Sequence, residues 1–386
     1  MAKRDTGVLP AGGQRPACRL PQNATAVLSG TSPGESAERL GPALVSGGAS
    51  QTPVAVLNVA QLPSLAQDSV SWLRQLGRPS WIDIPGIDSS RRRVLTTLLH
   101  GNEPSGVLAI HRWLQGLDTP AVNISLLIAS VTTALQEPVF SRRMAAGQRD
   151  LNRCFKAPFN DQQGHLAQQI MERIISLQPE CVIDIHNTSG SGPSFAVATA
   201  DGFAQRNLAG FFCRRLIVTD LRLGSLMEID AGCPAVTIEC GGARDEESQA
   251  TALAGIENIT TADVLFPAAP RHELEVLHHP VRVILKPAVT VTYSASPSED
   301  SDVTLWPDIE RCNYGITPVD RCLGWVGPGG LRQLAAPDTA GIDRVSHLLR
   351  EDNGWLYPAR NLRLFMATTN AKIARDDCLF YAVAAT

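Results

Sequence analysis

The motif HGNEPSG, residues 100–106, joins a predicted strand to a predicted helix. Before it, residues 93–99 (RVLTTLL) form an apolar run that is rich in strand-forming residues. After it, residues 107–114 (VLAIHRWL) carry apolar side chains at 107, 110, 113 and 114, which is helical spacing. We therefore expect His100 at the carboxyl end of a buried strand, the edge of an open α/β sheet at which ligands bind.

His100 and Glu103 are three residues apart across a glycine turn, so both side chains can point at one cation. Glu103 is predicted to open the helix, with Pro104 in the first turn, where its missing N–H would have no partner anyway. Imidazole and carboxylate groups are both zinc ligands. An isolated H-x-x-E pair is common on protein surfaces, so this pair indicates a metal site only if other ligands join it.

The composition is that of an ordinary globular protein: of 386 residues, 44% are hydrophobic and 19% are charged, and the net charge is −4. No basic stripe suggests nucleic-acid binding, and residues 91–93, three arginines, are interpreted as the solvated start of a strand. No apolar segment has membrane-spanning length. The amino terminus lacks the apolar core of a secretory signal. These features predict a cytoplasmic protein that binds neither nucleic acid nor membranes.

The nine cysteines give an odd number and no C-x-x-C pair. This usage argues against a disulfide framework and against a cysteine zinc cluster. Several cysteines, among them Cys181 and Cys240, lie in apolar segments and are predicted to be reduced core thiols. Any metal site in this chain is therefore expected to use histidine and carboxylate ligands.

Predicted strands and helices alternate through the middle of the chain, which is typical of a parallel α/β sheet. The clearest segments are strands at 122–129, 181–186 and 235–242 and helices at 69–76, 164–177 and 245–259. Residues 1–50, rich in Gly, Ser, Pro and Ala, are predicted to form a disordered or poorly packed leader. From about residue 270, alternating strands punctuated by Pro and Gly replace long helices. We expect three parts: the leader 1–50, an α/β domain 51–269 and a β-rich domain 270–386.

Three predicted strands end in polar residues that should meet at one sheet edge: His100 with Glu103, then His186, then Glu239. Two histidines and one carboxylate make a three-ligand zinc site with a position left for water. We therefore predict one Zn²⁺ per chain, bound by His100, Glu103 and His186. A satisfied core histidine is the alternative for His186 alone, but the turn-forming residues 187–190 that follow should expose it.

A hydrolytic zinc site needs a further carboxylate that takes a proton from water and passes it to the leaving amine. Glu239, which precedes two glycines, is the candidate, and a buried glutamate held in a salt bridge is its alternative. Asp184 has two interpretations: an acceptor that orients His186, or a structural aspartate of a buried strand.

A predicted loop over residues 141–155 holds four arginines. Within it, Asn152 and Arg153 can grip a substrate carboxylate, the arginine bidentately. Another arginine near the zinc would stabilise the oxyanion of a tetrahedral intermediate. Arg143 and Arg149 compete for that role.

Four blocks, in this order, resemble the succinylglutamate desuccinylase/aspartoacylase family: residues 100–103 (HGNE), 150–153 (DLNR), 184–188 (DIHNT) and 235–239 (AVTIE). This family belongs to the zinc carboxypeptidase-like superfamily. The resemblance implies an α/β fold of that type, with a mixed, mostly parallel sheet flanked by helices. It also implies a smaller C-terminal β-rich domain, in agreement with the change in pattern near residue 270.

The resemblance implies zinc binding by His100, Glu103 and His186, general base and acid chemistry by Glu239, and a carboxylate grip by Asn152 and Arg153. The family's carbonyl-polarising arginine lies upstream of the DLNR block, and we favour Arg143 as this catalytic residue. Arg149 is the second candidate and is otherwise assigned to substrate binding.

Family members remove an acyl group, such as acetyl or succinyl, from the nitrogen of an amino acid or a similar small amine. The leading hypothesis is therefore a zinc-dependent amidohydrolase with a small N-acylated amino acid as substrate. A zinc carboxypeptidase acting on peptides is the alternative. A protein that kept the fold but only binds a metal or ligand is the third hypothesis.

Overall fold

The computed structural model describes residues 54–62, 65–268 and 273–385. The predicted leader, residues 1–50, lies outside these ranges. Within them, none of the helices is both long enough and apolar enough to span a bilayer.

The described part of the α/β region is built on one large sheet. Its strands are β1 (Ala55–Asn58), β2 (Ser80–Ile84), β3 (Asp88–Thr97), β4 (Val122–Ile128), β5 (Val182–Thr188), β6 (Phe195–Ala198), β7 (Arg215–Val218), β8 (Ala235–Gly242) and β9 (Glu275–His278). Their order across the sheet is β1-β2-β4-β3-β5-β8-β6-β7-β9. Only the pairs β2–β4 and β6–β8 are antiparallel. The predicted mixed, mostly parallel sheet is confirmed.

Helices cover both faces of this sheet. They are α1 (Ser69–Leu76), α2 (Ser105–Gln115), α3 (Val131–Ala134), α4 (Gln162–Leu177), α5 (Phe203–Gly210) and α6 (Glu246–Thr261), with short 3-10 helices at Val59–Gln61, Leu151–Arg153 and Leu226–Glu228. Successive residues of β3 show the layering: Leu95 packs with α1, α2 and α6, whereas Val94 packs with α4 on the other face. Because neighbouring residues of a strand point to opposite faces, β3 buries apolar side chains on both of its faces.

The contacts of β3 show that the interpretation of residues 91–93 as the solvated start of a strand was wrong. β3 begins at Asp88, and the Arg93 side chain is completely buried rather than solvated. Its guanidinium donates to the Ala262 carbonyl at 2.7 Å and to the Glu180 carboxylate at 2.9 Å. A buried cation requires such partners, and a cation is favourable at the carboxyl end of a helix such as α6.

The turn between β3 and α2 carries the two candidate ligands of the opening motif. Leu98 has φ +59, in the left-handed region that non-glycine residues rarely adopt. The helix begins at Ser105, after Pro104 in the N-cap position, so Glu103 lies in the turn and not in the helix as predicted. Gly106 lies so close to β3 that a Cβ atom there would be 2.1 Å from Thr97 Oγ1. The turn thus combines a left-handed residue at its start with close packing at its end.

The C-terminal part is β-rich, as predicted. Its strands are β10 (Val281–Leu285), β11 (Val291–Tyr293), β12 (Val303–Leu305), β13 (Ile316–Thr317), β14 (Gly324–Val326), β15 (Leu334–Ala335), β16 (Leu349–Asp352), β17 (Trp355–Pro358), β18 (Leu362–Phe365) and β19 (Phe380–Ala384). Two five-stranded sheets result, with the orders β13-β18-β19-β10-β15 and β11-β12-β14-β17-β16.

Short helical segments complete this part: α7 (Val345–Leu348), α8 (Ala371–Asp376) and 3-10 helices at Ile309–Cys312 and Gly330–Gln333. The region has its own hydrophobic core. However, β9 pairs with β7 as the last strand of the large sheet, although it follows the predicted boundary at residue 270. The division into three domains stays a prediction.

The close approach of α2 to β3 predicts the effect of Gly106→Ala. The added methyl group would overlap Thr97 Oγ1, so we expect the free energy of unfolding to fall by about 1–3 kcal/mol. Gly116→Ala, at the end of the same helix, is the matched control because no heavy atom lies within 4 Å of its added Cβ. Urea unfolding of both variants measures the difference. Equal midpoints would mean that the turn tolerates a wider spacing.

Candidate metal centre and active site

The candidate residues meet at the carboxyl edge of three adjacent parallel strands. β3, β5 and β8 are neighbours in the sheet, so their ends open on the same side. His186 of β5 is paired with Glu239 of β8 in the strand register. His100 follows β3 by three residues, and Glu103 completes the turn. Topology thus brings together side chains that are up to 139 positions apart in the chain.

His100, Glu103 and His186 form one buried cluster, and their potential ligand atoms lie within 4.8 Å of one another. The two oxygens of the Glu103 carboxylate lie 2.8 Å from His100 Nδ1 and 2.6 Å from His186 Nδ1. Both imidazoles therefore turn the same ring nitrogen toward one carboxylate. Two imidazole nitrogens and a carboxylate oxygen fit a three-ligand zinc site.

Electrostatics at this cluster favour a cation. Burial by itself would raise the pKa of the Glu103 carboxyl, but the charges of His100 and His186 lower it below its ordinary value. Burial would lower the pKa of His186, but the carboxylates of Asp184 and Glu103 raise it well above its ordinary value. The same negative potential that holds protons here would favour a divalent ion in their place.

The Nε2 atom of each imidazole contacts a second carboxylate, on the side of the ring away from Glu103. His186 Nε2 lies 2.6 Å from Asp184, whose other oxygen accepts from the Thr96 hydroxyl at 2.6 Å. His100 Nε2 lies 2.9 Å from Asp150. Such contacts fix the tautomer and the orientation of a ligand histidine. Asp184 has the geometry of the orienting acceptor. Asp150, given no role from the sequence, was signalled only by its position in the DLNR block.

Glu239 is a buried carboxyl group with one oxygen, Oε2, that has no hydrogen-bond partner among the described residues. Burial raises the pKa of this carboxyl to about 8. No ion pair of Glu239 occurs within the described ranges, so the geometry does not match the salt-bridge alternative. Glu239 lines the same cavity as the three candidate ligands. Its orphaned oxygen is available for proton transfer.

The two arginines that competed for the oxyanion role lie in different places. Arg143 lines the cavity, 3.0 Å from Asp150 and 3.4 Å from Glu103. Arg149 is not brought to it: its guanidinium binds Asp161, the N-cap residue of α4, at 2.7 Å. Arg149 is thus not among the described residues that line this cavity, and its expected substrate-binding role stays a prediction.

Asn152 and Arg153 both line the cavity from the short helix that Asp150 caps. The Asn152 side-chain oxygen accepts from the backbone N–H of Leu226 at 2.9 Å. Its amide nitrogen is thus the group left to donate to a ligand. The Arg153 guanidinium donates to the Asn152 carbonyl at 2.9 Å and lies 3.4 Å from Asp377.

The cavity has a volume of about 100 Å³ and is closed partly by the C-terminal region. Phe365, Met366, Asp377 and Tyr381 line it from that side. No sequence motif marks these residues, because each comes from a short strand or loop without a recognisable pattern. Their contribution depends on how the β-rich part packs against the sheet edge.

The mixed α/β sheet, with a His-Glu-His cluster and a buried carboxyl group at its carboxyl edge, points to a metal-site hydrolase class rather than to a nucleophile-based one. Residues 90–261 match the family model of the succinylglutamate desuccinylase/aspartoacylase catalytic domain. This match confirms the resemblance seen in the four sequence blocks. It also supports a hydrolytic acylase of that type.

Comparison with solved structures finds proteins of the desuccinylase, aspartoacylase and aminoacylase type. A succinylglutamate desuccinylase/aspartoacylase from Rhodobacter sphaeroides is 16% identical and has a TM-score of 0.51, with coverage of 79% of this chain and 88% of that one. Murine aminoacylase 3 is 16% identical with a TM-score of 0.46, covering 77% and 96%. The Rhodobacter structure shows a shared fold. No curated protein matches the chain.

The cluster predicts that zinc stabilises the folded protein. Zinc in hundredfold excess over its Kd should add about 2.7 kcal/mol to the free energy of unfolding, because it binds only the folded state. His186→Ala should abolish this gain, whereas His347→Ala, at an exposed position, should keep it. Thermal unfolding with zinc and with a chelator gives the comparison. A zinc-induced shift of equal size in His186→Ala would remove this residue from the ligand set.

Proposed function

We propose that this protein is a zinc-dependent amidohydrolase that removes an acyl group from the nitrogen of a small amino acid. The observation that carries the proposal is the buried Glu239 carboxyl, with an unpartnered oxygen, in one cavity with the His100–Glu103–His186 cluster. Metal ligands and a proton-transfer group then share a single substrate volume. The family match supports deacylation in general, and the proposal adds zinc, the residue roles and the substrate.

His100, Glu103 and His186 would hold the ion, with Asp150 and Asp184 orienting the two imidazoles. When bound, zinc acts as a Lewis acid that polarises the amide carbonyl and makes water more acidic. Its charge also lowers the pKa of nearby acids, which would bring the Glu239 carboxyl below the value of about 8 that burial gives it.

Glu239 takes the proton from the attacking water and returns it to the nitrogen of the leaving amine. A carboxyl group with a pKa near the working pH suits both steps. Arg143 is the donor for the oxyanion, since its guanidinium is fixed beside the cluster by Asp150. Asn152 and Arg153 bind the carboxylate of the amine product, which orients the amide over the cluster.

A peptidase acting on long substrates would need an open groove at the sheet edge. Here the cavity is about 100 Å³ and is bounded by side chains of the C-terminal part such as Phe365 and Tyr381. This boundary formed by the C-terminal part supports a small N-acylated amino acid over a peptide as the substrate.

Glu239→Gln tests the proton-transfer role. We expect kcat for N-acetyl and N-succinyl amino acids to fall by about 10²–10⁴-fold, because the amide cannot move the proton. Zinc content and Tm should stay unchanged. Glu247→Gln, at an exposed position of α6, is the matched control. Rates of amine release equal to wild type in Glu239→Gln would exclude this residue from the mechanism.

Arg143→Lys and Arg149→Lys together identify the oxyanion donor. Loss of the Arg143 guanidinium should reduce kcat by about 10²–10³-fold, the usual effect of removing one such donor. The Arg149 variant should retain the wild-type rate, because its side chain binds Asp161 outside the cavity. Steady-state kinetics on one N-acetyl amino acid suffice. The reverse pattern would assign the role to Arg149.

A further inference from the structure

The wall of the cavity beside Glu239 is formed by two neighbouring strands. Phe195 of β6 is paired with Glu239, and Val197 of β6 is paired with Ile217 of β7. Because alternate residues of a strand share a face, Phe195, Val197 and Ile217 lie on the face that carries Glu239, and all three line the cavity. The wall next to the proton-transfer group is therefore apolar.

More apolar side chains extend this wall. They are Leu221, Leu223 and Met227 after β7, and Phe365, Met366 and Tyr381 from the C-terminal part. Phe195, Ile217 and Phe365 also belong to one buried cluster, in which Phe365 stacks on Tyr381. The wall is consequently preformed by packing between the large sheet and the β-rich region.

The arginines that line the cavity can bind one substrate carboxylate. Arg143 and Arg153 are the arginines among the described lining residues, and Arg143 is already paired with Asp150 and Glu103. Asp377 lies 3.4 Å from Arg153 and is held in place by Arg282 at 2.8 Å. The 3.4 Å contact is longer than an ideal charge-assisted hydrogen bond, so Arg153 keeps the capacity for one further carboxylate.

A second carboxylate would meet no further cation among the described residues that line the cavity. Asp377 itself is a fixed negative charge at the cavity, with a side chain that is 6% exposed. Glu228 adds another, bound by the backbone N–H groups of Leu223 and Gly224. An additional negative charge between these groups and the apolar wall is both desolvated and repelled.

We propose that the amino acid released by this enzyme has an apolar side chain, and that Asp377 excludes acidic side chains. This inference rests on the proposed deacylase function. The amine nitrogen must lie at Glu239 and the α-carboxylate at Arg153. The side chain of the amino acid is then directed along the wall of Phe195, Val197 and Ile217. Asp377 is the specificity-determining residue, since its fixed negative charge beside Arg153 repels a second carboxylate of a dicarboxylic substrate.

The first experiment uses the zinc-loaded wild-type protein and keeps the acyl group constant. We expect kcat/KM for N-acetyl-leucine and N-acetyl-methionine to exceed that for N-acetyl-aspartate by at least about tenfold. Leucine should also be a better competitive inhibitor than aspartate. A preference for N-acetyl-aspartate would overturn this inference but leave the deacylase proposal intact. No amine release from any of these substrates, with no inhibitor binding, would overturn both.

The second experiment compares Asp377→Asn with Asp376→Asn, a matched control at the exposed neighbouring position. Removal of the fixed charge should raise the kcat/KM ratio of N-acetyl-aspartate to N-acetyl-leucine by about tenfold. The control should keep the wild-type ratio. An unchanged ratio in a folded Asp377→Asn protein would show that Asp377 does not select the substrate. If that variant does not fold, the wild-type substrate and inhibitor series decides the matter.

Discussion

The carboxylate of Glu103, held between the Nδ1 atoms of two histidines, is the contact on which the candidate site depends. The three groups come from two strand ends and are almost completely buried. Buried charges are costly unless each has a partner, so this cluster is stable only when its members share protons or a cation. The arrangement links the sheet topology directly to the chemistry, because β3 and β5 must be adjacent and parallel for the two imidazoles to meet.

The residues around this contact hold the turn and the imidazole rings in defined conformations. Leu98 takes up a left-handed conformation at the end of β3, and Gly106 lets α2 approach that strand without a Cβ clash. Both features fix the turn that carries His100 and Glu103. Asp150 and Asp184 then fix the ring orientations. Side chains held in this way would need little rearrangement to bind a metal ion, which favours affinity.

The C-terminal part contributes some of the side chains that line the cavity, and in the proposed function these side chains select the substrate. Asp377 connects Arg153 to Arg282, so a residue of the β-rich region sets the charge balance of the α/β site. Phe365 and Tyr381 close the apolar side. In the proposed function, different parts of the chain supply chemistry and selectivity: the sheet edge would supply the metal ligands and the proton-transfer group, and the C-terminal part would shape the space for the substrate.

Local patterns in the sequence were enough to locate much of the fold. The helix at 69–76 and the strand at 235–242 were placed correctly, because their hydrophobic spacing reflects which face each element buries. The candidate ligands could also be predicted from the sequence, since histidine and glutamate at the ends of neighbouring parallel strands lie at the same sheet edge. The contacts between residues far apart in the chain could not be predicted from the sequence. Arg93 looked like a solvated charge until its contacts with Glu180 and α6 were known, and Asp377 belongs to no motif, so its place in the cavity follows from packing alone.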